Sequence, residues 1–144
     1  MLAIAYRSIA IHPFSEDEVT LLADTAAMKN ERLDVTGYLY FRDSQFIQYI
    51  EGPEDQLRAL FNRIAGDPRH TVTHQIELPD RTQRIFPHWY MRFVDHESAN
   101  RATPAIEDEL TFILTTASEK DLSPEEFASA LDTITTRIAT LDLA

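Results

Sequence analysis

Short apolar runs alternate with amphipathic stretches over the first 95 residues of this 144-residue chain. Residues 2–9, LAIAYRSI, read as a first strand that ends before Pro13. Ser15 and Glu18 form a capping box and open a helix with Val19, Leu22, Ala23 and Ala26 on its apolar stripe. That helix is expected to run out around Asn30. Two strand-like runs, 36–42 and 45–51, flank Asp43-Ser44 and predict a hairpin. Gly52-Pro53 closes it, and Pro53 suits the first turn of a second helix. Leu57, Leu60, Phe61 and Ile64 give that helix its stripe, and Gly66-Asp67-Pro68 stops it. Runs at 72–78 and 89–94 predict two more strands, separated by DRTQR and Pro87.

The order is β-α-β-β-α-β-β. It fits an α+β, ferredoxin-like sheet with both helices on one face. Composition turns polar from 96 to 104. Two further helices are expected near 104–118 and 123–141, the second opened by Ser123, Pro124 and Glu126. Its stripe of Phe127, Leu131, Ile134, Ile138 and Leu141 has coiled-coil spacing, but over only about two heptads, so it reads as packing on the protein's own body. The sheet face carrying Ala3, Ala5, Ile47 and Tyr49 is apolar and needs a cover. The two extra helices are expected to cap it. The chain thus divides into residues 1–95, a sheet domain, and 96–144, a linker with a helical cap.

Composition narrows the function. There are 24 acidic and 13 basic residues, a net charge of -11. Such a chain repels phosphate backbones, which argues against generic nucleic-acid binding. Cysteine is absent, which excludes disulfides, thiolate metal sites and a cysteinyl adduct to a cofactor. The three glycines, at 37, 52 and 66, allow neither a GxGxxG fingerprint nor a P-loop. No apolar run approaches the ~18 residues of a membrane span, and no signal peptide is read at the start. A cytoplasmic location is expected. His70 and His74 have a helical zinc spacing, but they lie in a strand-like run, where residues four apart are roughly 13 Å apart, so no metal site is expected.

Several residues do not fit a plain core. Alternation puts Tyr6 with Leu2 and Ile4, and Gln48 with Phe46 and Ile50. The first and third strands are central neighbours in this topology, so Tyr6 and Gln48 can meet. A buried, unpaired amide costs about 1–3 kcal/mol, so Gln48 needs partners. Asn30 ends the apolar face of the first helix. Arg63, Asp67, Arg69 and His70 cluster at the end of the second. Each has an ordinary reading as well: an edge Gln, a core Tyr with its hydroxyl at the surface, an Asn C-cap, a solvated loop. Together they describe a slot for a planar polar heterocycle, with amides for its edge and aliphatic walls for its faces.

These residues resemble the BLUF domains, which sense blue light using FAD. The matching pieces are YRS at 6–8, N-x5-TG at 30–37, F-x-Q-x-x-EG at 46–52, R-I-x-x-D-x-RH at 63–70 and R-x-F-x-x-W-x-M at 84–91, in the family's order over residues 1 to about 95. The resemblance implies that Tyr6 is the photo-oxidised tyrosine and that Gln48 bridges its hydroxyl to the flavin edge. It implies that Asn30 bonds the pyrimidine edge, that Arg63, Asp67 and His70 lie near the flavin, and that Ser8 accepts a bond close by. Trp89 and Met91 would lie on the last strand and relay the signal. Lys29 has a minor cofactor role, and Tyr49 is a second candidate electron donor.

The implied mechanism is light-driven transfer of an electron and proton from Tyr6, a rearranged Gln48, and a red-shifted flavin. The implied protein is not an enzyme. FAD is the expected cofactor, with FMN or riboflavin as substitutes. Without an output domain in the chain, the signal is expected to leave by contact with a downstream effector protein, and a homo-oligomer is expected. The rival readings are a ferredoxin-like small-molecule-binding or interaction module without flavin, and an acylphosphatase-like enzyme. The latter needs a glycine-rich cradle that AIHPFSED lacks.

Overall fold

The computed structural model describes residues 1–78, 82–94 and 123–139. The chain falls into two compact units, Met1–Val94 and Asp95–Ala144. The first contains β1 (Leu2–Ala10), α1 (Glu16–Leu33), β2 (Thr36–Arg42), β3 (Gln45–Gly52), α2 (Glu54–Ala65), β4 (His70–Leu78) and β5 (Arg92–Val94). The strands form one sheet in the order β4-β1-β3-β2-β5. β1 is antiparallel to both β3 and β4, and β3 to β2. β1 and β2 are therefore parallel across β3, and β3 and β4 are parallel across β1. Each pair is joined by one helix. This is the pair of split β-α-β units expected for the α+β class, with β5 added in parallel beside β2.

The capping box forms as its residues require. Ser15 Oγ accepts from the Glu18 N–H at 3.1 Å, and Glu18 Oε1 accepts from the Ser15 N–H at 3.1 Å. The end of α1 differs from expectation. The helix continues past Asn30 to Leu33 and stops at Asp34, whose left-handed backbone (φ 59°) turns the chain so that the Val35 N–H bonds the Asn30 carbonyl at 3.0 Å. Asn30 is therefore an interior helical residue with a buried side chain, not a cap.

Both helices lie on the same sheet face. Val19 and Ala23 of α1 and Leu57 and Phe61 of α2 share a core with Leu2, Ile4, Tyr6, Leu39, Phe46 and Ile50. Leu57 is wholly buried, so truncating it to Ala costs about 2–5 kcal/mol. On the opposite face Tyr38 and Tyr49 stack 6.0 Å apart, and Phe86 meets both edge-on. Ala3, Ala5, Arg7, Tyr40, Ile47 and Glu51 on that face are also buried.

The last strand is shorter than expected. Regular pairing with β2 begins only at Tyr38↔Arg92, so Trp89 and Met91 precede β5 and are not part of it. Pro87 has no N–H for a ladder. The stretch after it is held by single bonds, from the Gly37 N–H to the Trp89 carbonyl (2.8 Å) and from Asn30 Nδ2 to the Tyr90 carbonyl (2.8 Å).

In the second unit, α3 (Pro124–Ala139) begins after Ser123, whose Oγ accepts from the Glu126 N–H at 3.1 Å. Phe127, Leu131, Ile134 and Ile138 are buried along one stripe. The helix expected at 104–118 and the continuation of α3 to 141 lie outside the described residues.

Candidate functional site

Tyr6 and Gln48 are direct partners in the β1–β3 register, with both side chains on the helix-covered face. The Tyr6 hydroxyl donates to Gln48 Oε1 at 2.5 Å, and both residues are buried. Burial pushes the Tyr6 phenol far above the usual tyrosine range, and the charge of Asp67 adds to this. Tyr6 is therefore a neutral donor. The other end of the Gln48 amide, Nε2, donates to Met91 Sδ at 3.3 Å. A thioether only accepts, so it fixes the amide with its NH₂ toward Met91 and its oxygen toward Tyr6.

Above this pair a cavity of about 640 Å³ opens between α1 and α2. That volume is in the range of small-molecule sites, about 300–1,000 Å³. Leu22, Ala26, Leu39, Leu60 and Ile64 form its apolar walls, while Lys29, Arg63 and Arg69 bring positive charge to it. Asn30 also lines it. Its Nδ2 is taken by the Tyr90 carbonyl, while its Oδ1 bonds to none of the described residues. Asn30 and Gln48 thus touch Tyr90 and Met91, two consecutive residues, while both line the cavity.

Beyond α2 the basic cluster is ordered by short-range bonds. Arg69 reaches Asp67 through its backbone N–H (2.9 Å), Nε (3.0 Å) and Nη2 (2.5 Å). The side-chain bonds from Arg69 hold the Asp67 carboxyl down at about 2, against the opposing effect of its partial burial. His70 opens β4, two residues earlier than its sequence pattern suggested. Its Nε2 lies 2.6 Å from the Ile64 carbonyl, which can only accept, so Nε2 carries a hydrogen. Its Nδ1 lies 2.7 Å from Ser8 Oγ, which donates to it in the neutral ring. Ser8 does not line the cavity. It fixes His70, whose ring meets Tyr6 edge-on at 5.9 Å.

Tyr6, Asn30, Gln48, Arg63, Asp67 and His70 therefore converge on one cavity, and Met91 touches Gln48 directly. Trp89 does not join them. Its indole stacks on Phe86 at 5.2 Å, under the Arg92 guanidinium at 4.5 Å. Tyr49 points to the opposite face, with Tyr38 and Phe86. Sequence reasoning missed His12 and Phe14, which stack at 4.5 Å beside the cavity, and Glu51 behind the sheet. Glu51 had a signal: it is a charged residue on the otherwise apolar series 47, 49, 51.

An apolar slot with a phenol-linked amide at its floor is the kind of site that holds a planar polar ring without covalent attachment. A family model described as "BLUF: Sensors of blue-light using FAD" matches residues 1–92, and the chain belongs to that family. It is similar to BlrB, a BLUF protein, in its dark-state structure, with a TM-score of 0.71 and 27% identity over 96% of this chain and 95% of that one. It also resembles a bacterial light-regulated adenylyl cyclase, with a TM-score of 0.68 and 26% identity over 80% of this chain and 34% of that one. Photoactivated adenylate cyclase subunit beta of Euglena longa is 31% identical over 87 residues, 60% of this chain and 10% of that protein. The chain spans about a tenth of the length of such curated relatives. No described helix is long and apolar enough to cross a membrane.

The residues present fit a flavin. The ring's faces need apolar walls, and its pyrimidine edge needs both donors and acceptors. The open Asn30 Oδ1 and the second Nε2 hydrogen of Gln48 supply one of each. Lys29 and Arg63 bring positive charge suited to an anionic tail, while the Arg69 guanidinium is already engaged by Asp67.

Proposed function

We propose that this chain is a blue-light receptor that binds FAD noncovalently between α1 and α2 and answers light by rearranging the hydrogen bonds of Gln48. The observation that carries this reading is the chain Tyr6 Oη–Gln48–Met91 Sδ at the floor of the cavity. The bound flavin supplies absorption of blue light and an electron acceptor. Tyr6 is the donor. Loss of an electron makes its phenolic proton strongly acidic, and the hydroxyl that carries it is already 2.5 Å from Gln48 Oε1. Gln48 takes the proton at Oε1 and would release an Nε2 hydrogen to the flavin edge, which accepts it along with the electron, so that the amide turns or changes tautomer without keeping a charge. The electron and proton then return to Tyr6, leaving Gln48 in its new arrangement. Asn30 and the apolar walls hold the ring in register throughout.

Rotation of Gln48 has a consequence on its far side. With Oε1 turned toward Met91 Sδ, two acceptors face each other, so the Met91 side chain must move. Met91 is flexible enough to do so, and β5 follows it directly in the chain. Residues 1–95 act as the sensor. The stretch 96–144 passes the change on to a downstream effector by protein contact, in a homo-oligomeric receptor. Gln48 is then a two-state element biased by light.

The test is spectroscopic. The purified chain should be yellow, release FAD on denaturation, and show a reversible red shift under blue light. A colourless protein that takes up no FAD on refolding would exclude this function.

A further inference from the structure

Glu51 is wholly buried, yet its carboxylate makes no ion pair among the described residues. Instead, donors converge on it. Oε1 accepts from the Phe86 N–H at 2.7 Å, and Oε2 accepts from the Ile85 N–H at 3.1 Å and the Tyr49 hydroxyl at 2.8 Å. Arg84, next in the chain, donates to Thr36 Oγ1 (2.8 Å), the Asp34 carbonyl (2.7 Å) and the Glu51 carbonyl (3.3 Å). The stretch 84–86 is thus fastened to β3 and to the start of β2 from behind the sheet.

Six residues after Ile85, the same stretch returns to β3 on the other face, where Met91 meets Gln48. Gln48 and Glu51 are three positions apart on one strand, about 10 Å. The segment 86–91 is therefore held to β3 by Glu51 at its start and by Gln48 at its end, while the Gly37 N–H and the Asn30 amide hold the Trp89 and Tyr90 carbonyls near that end and leave Phe86–His88 to Glu51. Phe86 and Trp89 stack between these two ends. A strut transmits displacement only if its far end is fixed. With Glu51 holding Phe86, a shift of Met91 must be taken up within 86–91 and passed on to β5. With that end loose, the segment absorbs the shift.

We infer that Glu51 is a positioning residue for the light response: it anchors segment 86–91 so that movement at Met91 reaches the residues beyond it. The inference rests on the Gln48 rearrangement proposed above, and its test separates the two. Trp89 is the chain's single tryptophan and lies in the middle of the segment, so its emission reports this motion. The experiment compares the acrylamide quenching of Trp89 in dark and light, alongside the flavin red shift, for the flavin-loaded wild type and Glu51→Gln. Gln keeps the volume but turns one acceptor into a donor facing N–H groups.

The expected result is a normal red shift with the light–dark difference at Trp89 cut to less than about half. A purely structural loss would lower the melting temperature and leave that difference intact. If Glu51→Gln fails to bind flavin, Tyr49→Phe, which removes one donor to Oε2, decides by the same criterion. A wild-type light–dark difference in the deciding variant overturns the inference, as does loss of the red shift itself. A wild type that shows a red shift but no change at Trp89 also overturns it, whereas a wild type without any red shift fails the proposed function first.

Discussion

The Tyr6 hydroxyl and Gln48 Oε1 lie 2.5 Å apart across two strands whose register makes the residues direct partners. Donor and first acceptor are thus set by backbone pairing and not by a mobile loop. Removing the hydroxyl while keeping the ring isolates its role. Tyr6→Phe should still bind flavin and show no red-shifted state under illumination. Its unpaired Gln48 oxygen should lower stability by about 1–3 kcal/mol in a denaturant titration.

Gln48→Leu removes the amide that bonds both Tyr6 and Met91. Flavin absorption should remain, and the light-induced difference spectrum should be flat. A reversible shift of wild-type size in this variant would contradict the role given to the amide.

Met91→Ala removes the thioether acceptor while leaving Tyr6 and Gln48 in place. The red shift should persist. Light-dependent hydrogen exchange at the β5 amides, residues 92–94, should fall toward the dark value. Equal light effects in the wild type and Met91→Ala would break the link from Gln48 to β5.

The Asp67–Arg69 pair predicts a pH window. The folded carboxyl titrates at about 2, below its ordinary value near 3.8. Its contribution is therefore present above about pH 4 and is lost as the pH falls toward 2. Arg69 is half exposed, so solvent screens the pair and the contribution should stay below about 1 kcal/mol. Thermal unfolding of the wild type and Arg69→Gln should differ above pH 4 and converge near pH 2.

Gly37 is a steric requirement. A Cβ there would sit 1.8 Å from the Tyr49 carbonyl oxygen, in the middle of the β2–β3 pairing. Gly37→Ala should cost about 3 kcal/mol and weaken flavin retention, measured by unfolding and by flavin release.

Much of this site was legible because strands alternate. Once LAIAYRSI and QFIQYIE are read as neighbouring strands, period two alone puts Tyr6 and Gln48 on one face. The capping box at Ser15 and Glu18 set the start of α1 in the same local way. The end of α1 was misjudged because it depends on Asp34 adopting a left-handed backbone, which Asp only sometimes does. The end of the sheet was misjudged because residues 89–91 are held by a Gly37 N–H and an Asn30 amide, partners more than fifty positions away. Glu51 escaped for the same reason: the donors at 85 and 86 that make it intelligible are distant in sequence.

Every described residue lining the cavity comes from the first 70 positions, whereas Glu51's main-chain donors, Trp89 and Met91 come after position 84. Absorbing light and reporting it are therefore written in successive stretches of one chain. The two stretches are joined where the Tyr90 carbonyl and Met91 Sδ accept from the cavity residues Asn30 and Gln48. A change at the cavity floor therefore meets the reporting stretch through two adjacent residues and nowhere else among the side-chain bonds of the described residues.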